Sequence, residues 1–221
     1  LTMVWSLAML AGVGAWAEPL LPPGNGLAGE KLAMQGGETA FRCYVCHGIN
    51  GAGQIVQLYA SPRLAGSSEL YLSKQLRDYK SGNRPSSIMH RLAIRLSPKQ
   101  IADVAAYYAA LELPVLSTPQ VGSASVVERG RTLAQQGDVE KNIPACANCH
   151  GLAGVGTGPM LPALAGQPFD YLQMQLHAWK HETRKNDDGG LMRAVAAKLS
   201  DQDIDATAHY YSRVQPLLAE P

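Results

Sequence analysis

Apolar positions recur at helical spacing along much of the chain. Ile101, Val104, Ala105 and Tyr108 form one stripe, and Ile204, Thr207, Ala208 and Tyr211 form a second, less strict one; each reads as the core-facing side of an amphipathic helix. Both stripes open on start signals. Ser97-Pro98-Lys99-Gln100 puts an N-cap serine before a proline at the first helical position and a glutamine at the third, which is a capping box. Ser200-Asp201-Gln202-Asp203 keeps the serine cap and places two carboxylates in the first turn, where the helix dipole favours negative charge. Further helices are predicted from about Gly29 to Gly36, Glu69 to Lys80, Val127 to Gly137 and Phe169 to Lys180, with Met89 and Met192 on loops before the two final helices. No apolar alternation of useful length predicts a strand, so the expected fold is all-α.

The pattern is written twice. Adding 103 to Cys43, Cys46, His47, Gly48, Gly51 and Gly53 lands on Cys146, Cys149, His150, Gly151, Gly154 and Gly156. The same offset of 103 carries Met89, Ala93, Leu96 and Ser97 onto Met192, Ala196, Leu199 and Ser200. Between these blocks the offset is 100, matching Pro62, Leu64, Ala65, Gly66, Tyr71 and Leu72 with Pro162, Leu164, Ala165, Gly166, Tyr171 and Leu172. A three-residue insertion early in the first copy is therefore cancelled by three extra residues late in the second. Two homologous units of about 100 residues account for nearly everything after the N-terminus. The expected division is 1–17 leader or anchor, 18–26 linker, 27–113 first domain, 114–124 interdomain linker and 125–221 second domain. Two prolines in Glu112–Gln120 make the connection semi-rigid.

The repeated chemistry is Cys43-Tyr44-Val45-Cys46-His47 and Cys146-Ala147-Asn148-Cys149-His150, which together use all four cysteines. This spacing reads as c-type haem attachment. Two thiols three residues apart can each form a thioether to a haem vinyl group, and the adjacent histidine then reaches the iron. A four-cysteine zinc site or a pair of disulfides would use the same thiols. Neither explains a histidine directly after both second cysteines.

Composition sets mild bounds. A formal charge of +1 over 221 residues carries no nucleic-acid signature. Its distribution is uneven: Glu18 to Pro114 holds ten Lys/Arg against seven Asp/Glu, and Val115 onward nine against eleven. Such a dipole would orient the molecule toward a charged partner; scattered solvated charge is the plainer reading. Leu1 to Ala17 are almost wholly apolar and end on Ala15-Trp16-Ala17 before Glu18. That segment reads as the apolar part of a cleavable secretory signal or as a retained membrane anchor, short for a span. Either places the chain in the periplasm, soluble or held at the inner membrane, which suits haem attachment outside the cytoplasm.

The order C-x-x-C-H, then P-x-L-A-G, then a helix opening Tyr-Leu, then a methionine seven residues before a Leu-Ser helix start resembles the class I cytochromes c. Two such units in tandem resemble the dihaem cytochromes of the c4 type. The resemblance implies two tandem cytochrome c domains packed side by side, each with a covalently bound haem c. It implies iron ligands His47 and Met89 in the first domain and His150 and Met192 in the second. It further implies that the carbonyls of Pro62 and Pro162 accept a hydrogen bond from the other ring nitrogen of His47 and His150, orienting each ring. The plainer readings are that the methionines fill gaps in the core and the prolines shape turns. His90, directly after Met89, is an alternative ligand. Arg84 and Arg184, with Tyr79 and Trp179, are candidates for contact with haem propionates or the interdomain surface. His177, His181 and His209 have no repeated partner and read as surface or structural, and Met34, Met160 and Met174 as packing.

His/Met ligation closes the iron with six ligands, leaving a centre that gains and loses one electron but binds no substrate. The expected function is a one-electron carrier in a respiratory chain, between a donor complex and a terminal oxidase or similar acceptor, and not an enzyme. A permanently bound subunit of a larger membrane-associated dehydrogenase or oxidase is the alternative. A dihaem peroxidase would need an open iron position, and a haem sensor would need an output domain.

Overall fold

The computed structural model describes residues 22–37, 41–56, 59–113 and 122–215. The apolar leader at 1–17, residues 18–21 of the first linker and residues 114–121 of the second lie outside the described residues. Each repeat folds the same way. The first runs α1 (Gly26–Gln35), α2 (Tyr44–His47), a hairpin of β1 (Gln54–Val56) and β2 (Tyr59–Ser61), α3 (Glu69–Ser81), α4 (Ser87–Ala93) and α5 (Pro98–Ala110). The second runs α6 (Ala124–Gln135), α7 (Ala147–His150), α8 (Phe169–Lys180), a short 3₁₀ turn (Asp188–Gly190), α9 (Leu191–Ala196) and α10 (Asp201–Tyr211).

Both expected start signals operate. Ser97 accepts from the Gln100 backbone while the Gln100 side chain accepts from Ser97, and Ser200 and Asp203 do the same. Asp203 also takes Lys141 at 2.7 Å and Arg129 at 2.7 Å. Burial pushes its carboxyl up, but these partners and the Ser200 bonds outweigh it and hold the group well below the usual carboxylate range.

Four expectations need correction. The first helices begin at Gly26 and Ala124, capped by Asn25 and Ser123, so Gly26 and Ala124 are helical and not linker. A two-stranded antiparallel hairpin, Gln54 facing Ser61 and Val56 facing Tyr59, occupies the place of the three-residue insertion in the first copy. Strands of three residues are too short to leave an alternation in the sequence. The segments bearing Met89 and Met192 are helices, not loops. Met174 is 47% exposed and packs into no core.

The first and last helices of each repeat cross at a glycine. A Cβ on Gly29 would lie 2.6 Å from the Asp103 carbonyl carbon and 2.8 Å from Tyr107 Cβ; one on Gly130 would lie 2.7 Å from the Ala206 carbonyl carbon and 2.8 Å from Tyr210 Cβ. Only hydrogen lets the backbones approach this closely. Around the crossing, Leu32, Ala33, Leu72, Val104, Ala105 and Tyr108 make the first core, and Leu133, Ala134, Leu172, Ile204, Ala208 and Tyr211 contribute to the second.

The repeats join through α3 and α8. Gln75 Oε1 accepts from Arg84 at 2.8 Å and from Arg184 at 3.1 Å, while Gln175 Oε1 accepts from Arg184 at 2.6 Å and from Arg84 at 2.7 Å. Gln75 and Arg84 match Gln175 and Arg184 at the offset of 100, so the contact is pseudo-twofold. Tyr171 accepts a further bond from Arg84 at 2.9 Å, and Asn186 bonds Gln75 and Asp78 across the seam. Among the described residues, no helix is long and apolar enough to cross a membrane.

Gly130→Ala is expected to destabilise the second domain by about 2 kcal/mol or more, the upper part of the overpacking range, leaving the first domain intact. Denaturant unfolding of the haem-loaded chain should then show an early transition confined to the second domain, and Gly29→Ala the converse.

Candidate functional site

Each histidine sits at the end of one helical turn. In α2 the His47 N–H donates to the Cys43 carbonyl at 2.9 Å, and in α7 His150 donates to Cys146 at 2.9 Å. That turn puts the two cysteines and the histidine of each motif on one short rigid unit. The chain then turns back on itself. Gly53 N–H donates to the His47 carbonyl and Gly156 N–H to the His150 carbonyl, both at 2.8 Å. Gly51 O accepts from Leu64 at 2.8 Å and Ala65 at 3.1 Å, and Gly154 O from Leu164 at 2.7 Å and Ala165 at 2.9 Å. These bonds clamp each P-x-L-A-G segment against its own motif. Gly66 and Gly166 then donate to Tyr108 and Tyr211 at the far ends of α5 and α10, at 3.0 and 2.9 Å.

The clamp places a carbonyl beside each ring. His47 Nδ1 lies 3.0 Å from Pro62 O, and His150 Nδ1 lies 2.7 Å from Pro162 O. A carbonyl only accepts, so Nδ1 carries the proton in both rings and Nε2 keeps its lone pair. Both rings are buried. Burial pulls their pKa values down, and the bond to the proline carbonyl opposes this in part. A neutral imidazole oriented through Nδ1 is the form that ligates a metal.

Four thiols accompany the two rings. Burial pushes the Cys43 and Cys146 thiols up to about 11, so they are neutral S–H groups, the form that adds across a vinyl double bond to give a thioether. Donor set and spacing both fit a covalently held haem. No group of three or more His, Cys, Asp or Glu among the described residues is arranged to hold a bare metal ion.

The methionines lie on matched short helices. Met89 is in the first turn of α4, where its N–H donates to the Ser86 cap at 3.1 Å. Met192 is in α9, held by Asp187, which accepts from the backbone and side chain of Arg193 at 3.0 and 2.9 Å. The three extra residues of the second copy fall at the 3₁₀ turn before α9. Both methionine side chains are half-buried. His90 turns elsewhere: its Nδ1 lies 2.7 Å from the Tyr79 carbonyl on the exposed surface.

The family follows from this doubled site and from comparison. The sequence profile of the cytochrome c family matches residues 28–112 and again 127–214. The chain belongs to the cytochrome c family, as a dihaem member of the c4 type. A thiosulfate dehydrogenase electron acceptor from Stutzerimonas stutzeri strain A1501 is 40% identical over 208 residues, 93% of this chain and 94% of that protein. Reduced cytochrome c4 from Pseudomonas stutzeri superposes with a TM-score of 0.74 at 32% identity, over 86% of this chain and 99% of that one. A thiosulfate dehydrogenase from Marichromatium purpuratum, in its as-isolated form, superposes with a TM-score of 0.76 at 37% identity, over 87% of this chain and 41% of that longer one. This cytochrome therefore carries two covalently bound haems c and transfers electrons with redox partner proteins; it is not an enzyme.

Sequence reading named Arg84 and Arg184 as candidates for the interdomain surface, where they lie, but missed their acceptors Gln75 and Gln175. Arg84 lies over the Tyr79 ring at 4.7 Å and Arg184 over Trp179 at 4.1 Å, and both arginines serve the interdomain seam. The offset of 100 that relates Gln75 to Gln175 was the available signal.

Gly53 holds φ at +79°, and a Cβ there would meet Arg63 N and the Pro62 carbonyl carbon at 2.6 Å. Gly53→Ala is therefore expected to push Pro62 O away from His47. In the NMR spectrum of the reduced protein the His47 Nδ1–H resonance should broaden or shift, while that of His150 stays put.

Proposed function

We propose that this cytochrome accepts electrons in the periplasm from a dehydrogenase of the thiosulfate-oxidising kind and passes them singly to a terminal oxidase or similar acceptor. The observation that carries the reading is the repeated cradle: two oriented, neutral histidines, each followed by a methionine helix, on one jointly folded body. His47 and Met89 are the proposed ligands of the first iron and His150 and Met192 of the second. Cys43, Cys46, Cys146 and Cys149 are the thioether residues, with Pro62 and Pro162 as the histidine supports. The haem supplies a one-electron couple whose potential methionine ligation raises. The protein's part is to hold both axial groups still, so that little moves when the charge changes. The exposed placement of His90, bonded to Tyr79, supports methionine over a second histidine at the first iron.

The 40% identical relative named as an electron acceptor of thiosulfate dehydrogenase spans nearly the whole chain and supports that class of donor. A second reading is a permanently bound subunit, favoured by the Marichromatium chain, 41% of which superposes on this one. Co-purification of the native protein separates the two.

The functional test is anaerobic mixing with a thiosulfate dehydrogenase and thiosulfate. Rapid reduction of both haems is expected; no reduction, alongside reduction by an unrelated quinol-oxidising complex, would assign a different donor. For the ligands, Met192→Ala is expected to halve the weak charge-transfer band of methionine sulfur on ferric haem and to lower one of the two potentials. An unchanged redox titration would remove Met192 from the iron.

A further inference from the structure

Arg63 follows Pro62 in the chain and is 1% exposed. Its guanidinium bridges two backbone carbonyls, Nη1 donating to Ala65 at 2.5 Å and Nη2 to Ala165 at 2.9 Å. Ala65 and Ala165 are matching, fully buried residues of the two repeats, so the guanidinium sits on the pseudo-twofold axis between them. Such an axis admits one side chain. The second repeat has Ala163 at the equivalent position, and a single cation serves both halves. The other domain also grips its backbone: Gln167 Oε1 accepts the Arg63 N–H and Gln167 Nε2 donates to the Arg63 carbonyl, both at 3.0 Å.

The charge itself is left uncompensated by the protein. Among the described residues no carboxylate pairs with Arg63, and its Nε–H has no partner. Burial draws its pKa down to about 10, so the side chain stays protonated at neutral pH. Bridging two carbonyls needs donors only. A buried cation without a carboxylate adds a field that those bonds do not require, and in a low-dielectric seam that field is strong.

We propose that Arg63 sets the potentials of both haems together. Its guanidinium bonds the carbonyls of Ala65 and Ala165, each three residues beyond the proline that supports His47 or His150, and its fixed positive charge favours the reduced, less positive state at each iron. The electron comes from the redox partner and no bond is made or broken at Arg63. Its unpartnered Nε–H is a donor for a haem propionate, since Asp78, the carboxylate the chain brings to the seam, bonds Asn186 and Lys74 and not Arg63. Arg63 is thus a positioning residue that acts through charge, and the proposal rests on His47 and His150 as iron ligands.

The test uses the full haem-loaded chain in four forms: wild type, Arg63→Met, Arg63→Lys and, as a control for net charge, Arg131→Gln on the exposed face of α6. Both potentials are read by spectroelectrochemical titration and domain docking by small-angle scattering. Arg63→Met is expected to lower both potentials, changing the ferric to ferrous ratio at fixed applied potential on the order of tenfold at each haem. Arg63→Lys keeps the charge but not the fork, and is expected to stay near wild type in potential even if docking loosens; Arg131→Gln is expected to move neither. Potentials unchanged in Arg63→Met, a fall at one haem only, or an equal fall in the Met and Lys variants would each overturn the proposal. Wrong axial ligands would show in the wild-type spectrum and so fail separately.

Discussion

The hydrogen bond from a histidine Nδ1–H to a proline carbonyl is the constraint on which each site depends. It selects the tautomer, leaves Nε2 as the only free lone pair of the ring, and fixes the plane in which that lone pair points. The bond spans His47 to Pro62 and His150 to Pro162, so the intervening loop has to return to its own starting point. It does so mainly through backbone bonds: Gly53 and Gly156 donate to the histidine carbonyls, and the Gly51 and Gly154 carbonyls accept from the P-x-L-A-G segments, with the Gln54 and Thr157 side chains adding a bond each to the Val45 and Cys149 carbonyls. Side-chain identity in the loop matters little to this, which is why the two copies tolerate different loop residues and even different loop lengths.

Rigidity suits an electron carrier. A centre that reorganises little on gaining charge exchanges electrons readily, and here each cradle is tied to the last helix of its domain through Gly66 or Gly166. That helix is in turn locked to the first by the glycine crossings. Motif, proline segment and terminal helices therefore form one continuous bonded unit in each repeat.

The seam between the repeats is polar where the domain cores are apolar. Arg84, Arg184, Gln75 and Gln175 satisfy one another in a pseudo-twofold set, and Arg63 occupies the axis. A directional network of this kind specifies one relative placement of the domains, which apolar contact alone specifies poorly. The asymmetry of the pair comes from small departures: Arg63 against Ala163, Gln167 against Ser67, and the inserted hairpin in the first copy. Through them two nearly equal units become distinguishable to a partner.

The sequence by itself determined the chemistry and the doubling. Cys-x-x-Cys-His, the capping boxes at Ser97 and Ser200 and the methionines in register are set by bonds among near neighbours, and local bonds leave local signatures. Pro62 and Pro162 were legible because each opens the repeated P-x-L-A-G segment, although they stand 15 and 12 residues after their histidines. The tertiary structure alone decided the β1–β2 hairpin, whose strands are too short to leave a period. It also showed that Met89 and Met192 ride on helices, which at seven and six residues are too short to leave a clear helical period although their Ser86 cap and Asp187 anchor are local. Most of all it decided the role of Arg63 and supplied the acceptors that hold Arg84 and Arg184 at the interdomain surface the sequence had suggested for them. An arginine in a linear sequence reads as solvated charge, and only packing one repeat against the other removed the water and brought each guanidinium to acceptors some 90 to 110 residues away in the chain.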